Sequence, residues 1–218
     1  MKLEYFDAHG RGCTLRMLFF KTKTPYQDLR NTMPEFFAKK PTGIYKLGQI
    51  PVLWMDDGSQ YCQTRALATY IAQQSGDKTL YPGNSDPMLS YKIDSFIDWG
   101  NGELDKWNAW FLPFLPSYQN REALFTQFIT KDMDVFLQKM EDTITANGGA
   151  YLFGQNFTTA DAYFFGSFFV KWSENDLFEH NLILRAIISK YPKVENWTNV
   201  IRAEFKDFLS AKENQTML

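Results

Sequence analysis

The sequence predicts an α/β unit of about 75 residues followed by an all-helical domain, within the usual size range of domains. Three observations lead there. Asp57-Gly58 stands between two short apolar-containing runs, the strongest local signal for a tight antiparallel hairpin. The residues before it switch from alternating to helical spacing and back, as in strand-helix-strand units. Beyond a stretch carrying Gly76, Pro82, Gly83 and Pro87, only long helical patterns remain.

The elements follow in chain order. Lys2 to Asp7 is short and alternates around Leu3, Tyr5 and Phe6, which reads as a strand. Ala8 to Gly12 reads as a turn, and Thr14 to Lys21, with Leu15, Leu18 and Phe19, as a helix. A second strand is expected around Pro25 to Leu29. Met33 to Lys40 forms a helical turn ended by Pro41 and Gly43, both poor helix continuers. The hairpin comes next, and Thr64 opens a helix with apolar positions at 67, 70 and 71 and an aliphatic stem at 74, starting from a capping-type side chain. Strand, helix, strand, then hairpin and closing helix is the order βαβ followed by ββα, that of a thioredoxin-like half. Pro51 directly precedes a strand and has no N–H for a ladder. The backbone of Gln49 and Ile50 is therefore expected to face a ligand, and a cis Ile50-Pro51 bond would lock that turn.

The expected domains are 1–76 for the thioredoxin-like unit, 77–87 for a linker, and 88–218 for the helical domain. In the latter, Met88 to Trp110 is a helix weakened at Gly100 and Gly102, since mid-helix glycine is unfavourable. Arg121 to Ala146 carries Phe125, Ile129, Met133, Phe136, Met140 and Ile144 on one stripe, the pattern of a half-buried helix. Gly148-Gly149 ends it. Thr158 and Asp161 have the spacing of a capping box ahead of an aromatic run from Tyr163 to Trp172, which reads as a buried structural helix. Two further helices are expected at Asn181 to Lys190 and Pro192 to Phe208, with a loose tail from Ser210.

Composition excludes several functions. The 218 residues are 44% hydrophobic and 22% charged with 20 Phe, the profile of a soluble globular protein. A formal charge of -2 makes no electrostatic case for nucleic acid or an anionic membrane. No apolar run approaches the roughly 20 residues that span a bilayer, and the N-terminus begins a strand pattern rather than a signal peptide. A cytoplasmic protein is the expectation. Cys13 and Cys62 are the only cysteines, with His9 and His180 far apart, so neither a disulfide framework nor a metal site is expected.

The motifs are more specific together than apart. Lys2-Leu3-Glu4-Tyr5-Phe6-Asp7 followed by His9-Gly10-Arg11 and Arg16 resembles the start of tyrosine-type cytosolic glutathione transferases. Gly48-Gln49-Ile50-Pro51-Val52-Leu53 resembles their glutathione-binding loop, and Gln63-Thr64-Arg65-Ala66-Leu67-Ala68-Thr69-Tyr70 the helix start that follows it. Gly154 to Asp161 resembles the capping motif of their helical domain. The resemblance spans nearly the whole chain and is closest to the sigma class.

It implies a homodimer using glutathione as co-substrate, without a metal, in detoxifying conjugation to a hydrophobic electrophile. Tyr5 matches the family's catalytic tyrosine; read alone it is a core tyrosine with its hydroxyl at the surface. Arg11 falls where sigma-like enzymes carry an arginine near the sulfur, and a positive charge there favours thiolate; read alone it is a solvated loop residue. Arg16 matches a structural ion-pair position. The backbone of Ile50, beside Gln49 and Pro51, would pair with the cysteinyl amide. Gln63 and Thr64 would hold the γ-glutamyl carboxylate at a helix N-terminus.

The lysine for the glycine-end carboxylate is expected from Lys39 or Lys40. Where a tryptophan often sits, this chain has Phe36 or Phe37. An acidic residue from the neighbouring subunit is expected at the glutamyl amine, with Asp98, Glu103 and Asp105 as candidates, and Leu47 stands where relatives insert an aromatic key into that subunit. The acceptor pocket is expected at Ala8, Trp107, Trp110, Phe111 and the C-terminal helix near Phe205 and Phe208; an aromatic stripe is equally the mark of a core. Cys13 replaces a usual acidic residue and is a minor candidate for a cysteine-type thiol transferase. A non-catalytic scaffold of the same fold, and a sigma-like prostaglandin isomerase or peroxidase, are the alternatives.

Overall fold

The computed structural model describes residues 1–112, 115–170 and 180–215. Four strands, β1 (Lys2–Phe6), β2 (Gln27–Asn31), β3 (Val52–Trp54) and β4 (Gln60–Cys62), form a mixed sheet in the order β2-β1-β3-β4. β1 runs parallel to β2 and antiparallel to β3, and β3 pairs antiparallel with β4. Parallel pairing needs a crossover, supplied by helix α1 (Gly10–Thr22). Pairing of Lys2 with Gln27 and of Phe6 with Asn31 sets the second strand two residues later than local propensity suggests. The first turn is also shorter than expected: Gly10, with φ 62°, already begins the helix.

α1 is buried from Gly12 to Phe19 because it lies between sheet and helical domain, so it shows no polar stripe. Helix α2 (Met33–Lys39) is capped by Thr32 and Glu35 in a reciprocal box, and a 3-10 turn, Lys40–Thr42, ends at Gly43. The hairpin turns at Asp57-Gly58 between β3 and β4. α3 (Thr64–Ser75) does not start from a Thr64 cap. Gln63, at φ 74°, holds the cap position, and Thr64 is the buried first helical residue. Its apolar face is Leu67, Ala68, Ile71 and Ala72, whereas Gln74 is exposed.

The segment expected as a linker is docked: Leu80 and Tyr81 are buried, and Leu80 O accepts from Thr159 N at 2.9 Å. Helix α4 (Pro87–Phe111) is capped by Asp86, which accepts from Leu89 N at 2.9 Å, and runs unbroken through Gly100 and Gly102. Gly100 is required by packing: a Cβ there would stand 2.6 Å from Phe164 Cζ. α5 (Arg121–Gln127) and α6 (Met133–Asn147) form one helix interrupted by a π turn, Phe128–Asp132. That turn moves the stripe, so Phe128 is buried and Ile129 only half-buried.

α7 (Thr159–Phe164) continues into a second π turn, Phe165–Phe169. At its start the fully buried Asp161 accepts from Leu152 N, Thr158 N, Thr158 Oγ1 and Trp197 Nε1, all within 2.9 Å. The aromatic run is buried from Tyr163 to Phe165 and at Phe168 and Phe169; Trp172 lies outside the described residues. α8 (Asn181–Ile188) and α9 (Pro192–Glu204) follow. The expected helix to Phe208 breaks at Phe205, and α10 (Lys206–Ser210) restarts it. The tail is not loose up to Gln215: α11 (Lys212–Gln215) docks where Arg30 donates to Asn214 Oδ1 at 2.8 Å and to the Glu213 carbonyl.

One apolar core runs from Leu3 and Leu53 through α1 into α4, α6 and α7. α1 meets the π turn closely: a Cβ on Gly166 would approach Thr14 N to 2.6 Å, and the Thr14 and Ser167 hydroxyls bond at 3.1 Å. A smaller cluster of Phe36, Tyr45, Ile50 and Val52 holds the segment that carries Pro51.

Candidate active site

Two cavities adjoin at the boundary between sheet and helical domain, and Arg11 and Ile50 line both. The smaller, about 460 Å³, is walled by Gln49, Ile50 and Pro51 before β3, by Gln63 to Ala66 at the start of α3, and by Asp98 and Asn101 of α4. The Ile50-Pro51 bond is cis. This cavity is polar because backbone ahead of a proline and a helix N-terminus both leave hydrogen-bonding groups unused by secondary structure.

The larger cavity, about 640 Å³, lies between Tyr5, Phe6 and Ala8 on one side and the last turns of α4 on the other. Its lining is mostly apolar, including Leu104, Trp110 and Phe111, with Arg11, Asp105 and Arg121 as its charged members.

Tyr5 is held at this boundary by close packing. Its ring lies against α1 so tightly that a Cβ on Gly12 would fall 2.1 Å from Cδ1. Burial pushes the Tyr5 phenol up from its ordinary range, against the nearby Arg11 and Arg16 charges and the Arg11 and Gly12 backbone N–H groups. The phenol therefore stays protonated at neutral pH and acts as a hydrogen-bond donor. Arg11 pairs with Asp105 at 3.5 Å and stands one-third exposed between the two cavities. Arg16 is structural: it is buried, binds both Asp28 oxygens through Nε, and donates to the Ala8 and Phe6 carbonyls at 2.8 and 3.1 Å. Those bonds fix the turn between β1 and α1 from which Ala8 and Arg11 project.

The structure thus gathers Gln49, Ile50, Pro51, Gln63, Thr64 and Asp98 at one cavity, and Tyr5, Ala8, Trp110 and Phe111 at the other. Several expected residues lie elsewhere. Trp107 is fully buried, edge-on to Trp110 at 4.4 Å and stacked on Phe111, because it points from α4 into the bundle. Phe205 is core, and Phe208 lines a separate groove beside Phe20 and Arg30, so α10 packs away from the larger cavity. Lys39 and Lys40 line neither cavity. Lys39 Nζ is turned inward, to Glu4 at 3.1 Å and Asn31 at 2.7 Å, and Lys40 lies over the Phe36 ring at 5.7 Å.

Phe36 is buried and Phe37 exposed; from α2 only Met33 reaches the larger cavity. Cys13 is 1% exposed within the core, which withholds it from any substrate. Of the acidic candidates, Glu103 is buried and bound by Lys106 at 2.9 Å, and Asp105 faces Arg11. Asp98 is bound by Arg65 of its own chain at 2.8 Å. Leu47 is 57% exposed.

Met33, Asn101, Asn108, Tyr118 and Arg121 line the cavities without having been singled out in the sequence. Asn101, Asn108 and Asp98 share a helical phase on α4, a signal readable only once the helix is known to pass Gly100 unbroken.

A four-stranded mixed sheet joined to a helical bundle, with paired cavities at the join, defines a two-domain thioredoxin-like and all-α protein. A family model for the C-terminal domain of glutathione S-transferase matches residues 105–206. Glutathione S-transferase S1 of Drosophila melanogaster is 29% identical over 198 residues, 88% of this chain and 74% of that protein. Human hematopoietic prostaglandin D synthase is 27% identical over 201 residues, 90% and 94% of the two chains. The solved structure of prostaglandin synthase D of Nilaparvata lugens matches with TM-score 0.78 over 97% of both chains at 24% identity, a likeness of fold. The chain is similar over most of its length to cytosolic glutathione transferases of the sigma-like kind.

Proposed function

We propose that this protein is a glutathione transferase that binds glutathione in the smaller cavity, stabilises its thiolate through Tyr5, and adds it to a hydrophobic electrophile in the larger one. The observation that carries this reading is the pair of cavities, one polar and one apolar, joined at Arg11 and Ile50 beside the protonated Tyr5 phenol.

The chemistry follows from the thiol. A cysteine-like thiol ionises near 8.5 and is mostly protonated at neutral pH; lowering it by about two units takes about 2.7 kcal/mol of thiolate preference. A neutral phenol donating to the sulfur, with the Arg11 charge nearby, supplies that preference without general-base catalysis. In this reading Ile50 pairs its backbone with the cysteinyl amide, Gln63 and Thr64 hold the γ-glutamyl carboxylate at the α3 N-terminus, and Asp98 serves the ammonium. Arg65 already pairs with Asp98 at 2.8 Å.

The test is conjugation of glutathione to a generic aryl halide. Tyr5→Phe should lower kcat/KM about 100-fold at acidic pH and move its pH profile up by about two units, toward the free thiol. Equal rates in the two proteins sink the role of Tyr5. Titration calorimetry separates the scaffold alternative, which predicts no heat with glutathione at millimolar concentration.

The relation to hematopoietic prostaglandin D synthase, together with an apolar cavity of about 640 Å³, favours a second reading in which the larger cavity isomerises a lipid-derived substrate with glutathione. Product analysis with a prostaglandin endoperoxide tests it. The proposed assembly is a homodimer in which the exposed Leu47 meets the second subunit, tested by sedimentation of wild type and Leu47→Asp. No described helix is long and apolar enough to cross a membrane.

A further inference from the structure

We infer that Asn101 is a glutathione-binding residue, its side-chain amide held donor-outward by the Tyr163 hydroxyl so that it grips the carboxylate of the γ-glutamyl end. The inference rests on the glutathione-binding reading of the smaller cavity and deepens it.

Asn101 lies on α4 one turn after Asp98, and both face that cavity. An asparagine side chain presents an acceptor on one side and two donors on the other, so its effect on a carboxylate depends on which side is fixed. Here the buried Tyr163 fixes it. The Tyr163 hydroxyl stands 2.7 Å from Asn101 Oδ1. The Arg11 charge lies near the same hydroxyl, and an amide carbonyl oxygen such as Oδ1 only accepts. The phenol proton therefore goes to Oδ1. Burial, ahead of every other influence, holds that phenol protonated.

Packing leaves the ring little freedom, since Gly100 sits beneath Tyr163 and Phe164 and a Cβ there would come within 3.3 Å of Tyr163 Cε1. With Oδ1 engaged, the Asn101 amide nitrogen is turned away from Tyr163. Among the described residues it meets no hydrogen-bond acceptor within the chain. The arrangement suits an amino-acid end, which carries an ammonium and a carboxylate close together. Asp98 attracts the ammonium, while Asn101 and the Thr64 N–H at the α3 N-terminus receive the carboxylate. Arg11 links this orientation to the second cavity, which it also lines.

The decisive variant is Asn101→Asp in the full-length protein. It keeps an oxygen to accept from Tyr163, and with it the fold, but replaces two donors by a negative charge. KM for glutathione should rise at least tenfold, the scale of one hydrogen bond to a charged group. kcat at saturating glutathione and KM for the aryl halide should stay within about twofold, the pattern of lost uniform binding. Asn101→Ala should raise the glutathione KM several-fold in the same way. Unchanged glutathione KM in both variants, or a fall in kcat together with a raised aryl-halide KM, overturns the role of Asn101. Absence of glutathione binding by the wild type in calorimetry instead sinks the parent reading, and this role with it.

Discussion

Substituting Gly12 by alanine tests whether the position of Tyr5, rather than its mere presence, sets the rate. Gly12 lies in the first turns of α1, and a Cβ there would stand 2.1 Å from Tyr5 Cδ1, 2.5 Å from Cγ and 2.9 Å from Cε1. Carbon atoms pack at about 3.5 Å or more, so the ring must retreat by roughly 1.4 Å or the helix must move. Overpacking of this kind costs about 1–3 kcal/mol, offset by about 1 kcal/mol because alanine favours the helix. The variant should fold with a melting temperature lowered by only a few degrees. A catalytic group displaced by about 1 Å costs about 100-fold. Glutathione conjugation should therefore fall about as far in Gly12→Ala as in Tyr5→Phe, and the double variant should fall no further, since both changes remove one interaction. A folded Gly12→Ala protein with wild-type kcat/KM would refute the assignment of Tyr5.

Two further predictions concern buried carboxylates. Burial opposes ionisation of Glu4, but hydrogen bonds from Asn31, Tyr45, Lys39 and Trp54 outweigh it and hold the carboxyl below the ordinary glutamate range. A lowered folded pKa gives stability that is present above the unfolded value near 4.3 and lost as pH falls through the folded one. The stability gap between wild type and Glu4→Gln should thus be widest near neutrality and close below about pH 4; a gap that does not vary with pH in urea melts would contradict this. Asp161→Ala leaves the donors of Leu152, Thr158 and Trp197 unpaired in the core, and should destabilise by about 3–5 kcal/mol. A loss under about 1 kcal/mol in equilibrium unfolding would show that Asp161 is not the fastening point of α7.

Legibility in the sequence followed the range of the interaction. Asp57-Gly58, the capping pair Thr158 and Asp161, and the terminal glycines act within a few residues, and each appears where its local chemistry directs. The polar cavity was legible too, because Gln49-Ile50-Pro51 and Gln63-Thr64 sit on two segments joined by a single hairpin. Readings that depended on which way a side chain turns went differently. Lys39 is drawn inward by Glu4 and Asn31, and Trp107 points into the bundle rather than toward the cavity.

Periodicity and turn chemistry alone therefore determined the architecture: a thioredoxin-like half, then helices, with a proline-fronted loop at their join. Tertiary structure decided the rest. The register of β2 came from pairing with β1, the continuity of α4 from the fit of Gly100 under Phe164, and the shifted stripe of the 121–147 helix from a π turn. It also placed Arg11 beside the hydrogen bond from Tyr163 to Asn101. The reason is physical: helix and turn preferences are set by neighbours along the chain, whereas packing and buried polar pairing join residues some 60 to 150 positions apart, as Asn101 with Tyr163 and Thr14 with Ser167.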